Sequence, residues 1–156
     1  MRMRTLIFLF GLLLLVPLTA RADAGNGSDN PITEQAKPAN VKADYDAGYR
    51  QLKAGDYKAA IKSFKRVLKG NPKHAMAYTN MAYSYRKLGR YRKAVKLYKK
   101  ALGIEPNLAE AHEYMGEALL ALGKIDEAKK HLAILEKIDP KMAEELRVDI
   151  QRHERS

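Results

Sequence analysis

The chain has 156 residues, with 29 Lys or Arg, 18 Asp or Glu, four His and no Cys, and its formal charge is +11. The length suits one domain rather than two. Without Cys there are no disulfides, thiolate metal sites, Cys nucleophiles or lipidated N-terminal Cys.

Met1-Arg2-Met3-Arg4 is a short basic start, followed by an apolar run from Leu6 to Leu18 that Gly11 and Pro17 interrupt. Ala20-Arg21-Ala22 then places small residues at the two positions a signal peptidase reads. That order predicts a secretory signal peptide over residues 1–22, cleaved after Ala22, with Ala24 as the next candidate. A membrane anchor fits less well, since the run makes roughly 20 Å of helix against a hydrocarbon core of roughly 30 Å. The expected setting is outside the cytoplasm, in a bacterial periplasm or otherwise secreted. Residues 23–40 are polar and rich in Gly, Asn, Asp, Ser and Pro, which predicts a disordered linker.

From residue 41 onward the chain repeats. Pro72, Pro106 and Pro140 recur at a constant interval, and Gly55, Gly89 and Gly123 keep the same one, as do Ala60, Ala94 and Ala128. The small residues Gly48, Ala82 and Gly116 share that period. The units run 41–74, 75–108 and 109–142 without insertion. In the second unit Tyr78, Met81, Ala82, Tyr85 and Leu88 recur at helical spacing, and Gly89 stops the helix. Tyr91, Ala94, Val95, Tyr98, Ala101 and Leu102 restart the pattern until Glu105-Pro106 closes it. Each unit therefore reads as two helices. Ile, Leu, Val and Phe are scarce after position 22. The expected core is instead built from Ala, Gly and Tyr, with the small column of each first helix facing the Ala column of the second.

These columns resemble the signature of the tetratricopeptide repeat family, over residues 41–142. The resemblance implies an all-α fold, a short right-handed solenoid of stacked helix pairs. Asp44 and Gln51 depart from the family's usual aromatic or apolar residues in the first unit. After Pro140, Met142, Leu146 and Ile150 sit four apart, and residues 143–156 look like the helix that caps such a stack.

Little chemistry is on offer. Apart from Tyr, the hydroxyl side chains within the repeats are Ser63, Thr79 and Ser84, and His74, His112, His131 and His153 lack metal-ligand spacing. The expectation is a non-enzyme with no cofactor and no metal. The resemblance implies that the first helix of each unit lines a concave groove. Its groove positions are Lys42, Tyr45, Tyr49, Leu52 and Lys53, then Met76, Thr79, Tyr83, Arg86 and Lys87, then Glu110, Glu113, Glu117, Leu120 and Ala121. Tyr49 and Tyr83 are the expected anchors, and Lys53, Arg86 and Lys87 the expected contacts for acidic side chains.

Some family members clamp the C-terminal tails of heat-shock chaperones. Of the residues that clamp needs, only Asn80 is present, while Tyr45, Tyr49, Glu110 and Tyr114 hold the other positions. The expected partner is a protein or peptide with acidic segments, held as an extended segment in the groove. Charge is uneven, at +6 and +7 on the first two units. Much of it lies on the second helices, at Lys58, Lys62, Lys65, Arg66 and Lys69 and at Arg92, Lys93, Lys96, Lys99 and Lys100. This convex basic face predicts, as the alternative, docking on an anionic envelope surface or polymer. The export signal and the inward placement of the aromatics argue against nucleic acid.

Overall fold

In the computed structural model, which describes residues 40–155, every regular element is a helix. The predicted leader, and the predicted linker up to residue 39, lie outside the described residues. The helices are α1 (Val41–Lys53), α2 (Tyr57–Gly70), α3 (Ala75–Lys87), α4 (Tyr91–Ile104), α5 (Ala109–Leu120), α6 (Ile125–Ile138) and α7 (Pro140–Glu154). Among the described residues no helix is long and apolar enough to cross a membrane.

Local chemistry sets the ends. Asn40, Asp56 and His74 accept hydrogen bonds from backbone N–H groups in the first turns of α1, α2 and α3. At the end of α3, Gly89 takes φ +71°, which lets its N–H reach the Arg86 carbonyl and the Arg90 N–H reach Tyr85. The same pair of bonds recurs around Gly55 and Gly123. Pro140 both ends α6 and opens α7, where its missing N–H is not needed, and Asp139 accepts from Lys141 and Met142. The last helix thus begins at residue 140 rather than at 143.

Helices pair as α1 with α2, α3 with α4 and α5 with α6, and each pair packs on the next. Contacts of α1 with α3, α3 with α5 and α5 with α7 line the odd-numbered helices up side by side. Ala60, Ala77, Ala82, Ala94, Ala101, Ala111, Ala118 and Ala128 are completely buried, with Phe64, Tyr98, Leu135 and Leu146 among them. Alanine at the helix contacts is thus as expected, but Ile61, Val67, Leu97, Leu119, Leu120 and Ile150 are buried as well, so large aliphatics share the core rather than yield it to Ala, Gly and Tyr.

The small first-helix column does not simply face the Ala column. A Cβ on Gly48 would lie 2.8 Å from the Phe64 ring, and one on Gly116 would lie 2.6 Å from Leu146 of α7. Gly116 is small because α7 covers it, with Ala143, Leu146 and Ile150 buried on that face. The two departures in the first unit are polar ties between helices. Gln51 accepts from Ser63 (2.8 Å) and Asp44 pairs with Arg66 (2.6 Å).

Candidate binding groove

Two adjoining hollows open along α1, α3 and α5. One, of about 290 Å³, is lined by Tyr49, Leu52, Lys53, Tyr57, Asn80, Tyr83 and Tyr114. The other, of about 420 Å³, is lined by Tyr45, Tyr49, Met76, Asn80, Glu110 and Tyr114. Tyr49, Asn80 and Tyr114 border both. Tyr49 is 47% exposed, unusual for so large a ring, whereas its neighbours are anchored. Tyr45 stacks on His74 at 5.0 Å, meets Phe64 edge-on, and its hydroxyl accepts from the Asn80 amide at 3.0 Å. Burial pushes the Tyr45 phenol up.

Of the groove residues expected from sequence, Tyr45, Tyr49, Leu52, Lys53, Met76, Asn80, Tyr83 and Glu110 line the hollows together. Lys87 is exposed beyond them. Three placements need correction. Thr79 is fully buried and donates to the Ala75 carbonyl at 3.2 Å, so it faces the core. Leu120 is buried as well. Glu113 is only 7% exposed, because α7 takes the place a further repeat would occupy and covers it. Burial, and then a hydrogen bond with Glu145 of α7, push the Glu113 carboxyl up to about 7.

Arg86 is also not free for a ligand. It pairs with Glu117, and its guanidinium lies over the rings of Tyr83 (4.9 Å) and Tyr114 (5.3 Å). Both partners of the pair are largely buried, and burial raises the Glu117 carboxyl against the opposing pull of Arg86. Lys53 and Glu110, by contrast, enter no ion pair among the described residues.

Sequence reasoning left two lining residues out of the groove set. Tyr114 occupies in the third unit the register position that Asn80 holds in the second, so the period already marked its column. Tyr57 opens α2 and reaches the groove only through the turn, where its ring meets Tyr83 edge-on at 6.4 Å. The fold also joins two histidines that spacing along the chain keeps apart. His112 and His131 bring their Nδ1 atoms to 2.8 Å, and His112 Nε2 donates to the Pro106 carbonyl. A carbonyl only accepts, so His112 Nδ1 is the acceptor in this tautomer and His131 Nδ1–H the donor. Among the described residues no group of three or more His, Asp or Glu is placed to hold a metal ion.

The ten expected basic residues of α2 and α4 are all exposed. Among the described residues only Arg66 of these enters an ion pair, with Asp44. Lys93 and Lys100 fold over Tyr85 (4.5 Å) and Tyr78 (5.7 Å) of α3.

Two tetratricopeptide repeat family models match the chain, over residues 45–109 and 85–147. No curated protein matches. Among solved structures, the TPR2B domain of yeast Sti1, in a complex with pHsp70, superposes with a TM-score of 0.68 at 20% identity, covering 72% of this chain and 96% of that one. The Arabidopsis OM64 TPR domain gives 0.69 at 20% identity, covering 72% and 95%. The second TPR domain of human RPAP3, in complex with the HSP70 peptide SGPTIEEVD, gives 0.66 at 27% identity, covering 71% and 94%.

Proposed function

The chain belongs to the tetratricopeptide repeat family, and from that premise we propose a non-catalytic interaction module, exported to the cell envelope or beyond, that binds an extended protein segment in its tyrosine-lined groove. One observation carries this reading: Tyr49, half exposed, stands over two adjoining hollows whose other rings are already held in place. Preorganised aromatic walls with an exposed anchor supply contact area with little ordering of the protein on binding. The human RPAP3 domain holds an acidic peptide, and here Lys53 and Lys87 are the exposed cations that would meet acidic side chains. The ligand is an internal segment rather than a chaperone tail. Asn80 is tied to Tyr45, Arg86 is neutralised by Glu117, and Glu110 repels a terminal carboxylate.

The test is selection of binders from a displayed random-peptide library, followed by affinity measurement against Tyr49→Ala with Tyr83→Ala. The double variant is expected to lose binding at least tenfold, about 1.4 kcal/mol. Unchanged affinity for all selected peptides would refute the groove.

The cations of α2 and α4, all but Arg66 outside any ion pair among the described residues, favour a second reading, an adaptor docking on an anionic surface through that face. Sedimentation with anionic phospholipid vesicles should then vanish by roughly 0.3 M salt. It should also vanish with charge reversal at Lys62, Lys65, Lys96 and Lys99. Binding that survives either change would rule this reading out.

A further inference from the structure

We propose that the hollow beside Glu110 takes a cationic side chain, Lys or Arg, of the segment bound in the groove; this rests on the groove reading above. The hollow has a volume of about 420 Å³ and three tyrosines, Tyr45, Tyr49 and Tyr114, on its walls. Glu110 is its one charged wall residue, and it has no ion pair or hydrogen bond among the described residues. Tyrosine rings attract cations through their negative faces, and a carboxylate at the same site adds a point charge. Met76 offers a soft apolar surface for the methylene stem of a long basic side chain.

The charges around the hollow point the same way. Arg86, whose guanidinium lies over the Tyr114 ring, is neutralised by Glu117. Lys42 is paired with Asp46 of its own helix. Lys53 borders the neighbouring hollow but not this one. The chain itself shows that its tyrosines hold cations, with Arg86 over Tyr83 and Tyr114, Lys93 over Tyr85 and Lys100 over Tyr78. No cation of the chain lines the Glu110 hollow itself; of its three rings Tyr114 already carries Arg86 and Tyr45 stacks on His74, which leaves Tyr49 the ring without such a partner among the described residues.

The two hollows therefore differ in sign while sharing Tyr49, Asn80 and Tyr114. A ligand with a basic residue at Glu110 and an acidic one at Lys53 satisfies both, and reversing the ligand opposes like charges at both. Charge order thus fixes the direction in which the segment lies.

The experiment selects random heptapeptides displayed on phage against the full chain, in wild-type, Glu110→Gln and Glu110→Lys forms. Wild type is expected to enrich Lys or Arg at one fixed position. Glu110→Gln should lose that enrichment, and Glu110→Lys should replace it with Asp or Glu. A wild-type-selected peptide should bind Glu110→Gln about fivefold more weakly, at unchanged melting temperature. Peptides that need Tyr49 and Tyr83 yet show no basic preference, or bind Glu110→Gln equally well, overturn the proposal and leave the groove standing. If no selected peptide depends on Tyr49 and Tyr83, the groove reading falls first, and this proposal with it.

Discussion

Replacing Glu113 by Gln should stabilise the protein at pH 8 and leave it almost unchanged at pH 5. The carboxyl is 7% exposed, beneath α7. Its titration is raised from 4.5 to about 7, first by burial, then by the hydrogen bond with Glu145 and the charges of Glu117 and Glu145. Between roughly pH 4.5 and 7 the folded state keeps a proton that the unfolded chain has released, so stability falls as pH rises through that window. The full shift corresponds to about 3 kcal/mol, and after discounting for local relaxation and screening about 2 kcal/mol is expected. Gln carries no charge to penalise and can still donate to Glu145. Thermal unfolding at pH 5, 6, 7 and 8 should show the variant's advantage growing with pH to roughly 8 °C. An equal gain at every pH, or a loss at pH 8, would refute the assignment of the cost to a buried carboxylate.

His131 should give the opposite slope. Burial, then the neighbouring His112 and Lys99, hold its titration down at about 4. The stability of the neutral form is intact above about 6.5 and is lost as pH falls toward 4, on the order of 2–3 kcal/mol. His131→Gln should remove that loss, read as urea midpoints at pH 7 and 4.5. Gly116→Val places a branched side chain where Leu146 already stands, and should cost about 2 kcal/mol. Hydrogen exchange in that variant should show α7 amides losing protection ahead of α1 and α2. Arg86→Ala leaves Glu117 largely buried without its cation, and should cost about 3 kcal/mol by denaturant unfolding. Arg86→Ala with Glu117→Gln should recover part of that loss.

The all-α repeat architecture, and the points where its helices stop, are legible in the chain's period alone. A fixed period, with Gly at φ > 0 and Pro at helix boundaries, is local information that backbone sterics convert directly into turns. The repeat register of the family also points to Tyr49 and Tyr83, and its chaperone-clamp motif to Asn80, and all three border the hollows. Which groove-column charges remain available is settled by packing between helices. Arg86 of α3 and Glu117 of α5 cancel each other across a helix boundary, and Glu113 disappears under α7. Thr79 turns to the core, while His112 of α5 and His131 of α6 meet ring to ring. These outcomes depend on which helix packs beside which, a non-local contact that no periodic pattern encodes. The repeat positions a column of side chains, and the neighbouring helix decides whether each one faces solvent, core or an opposite charge.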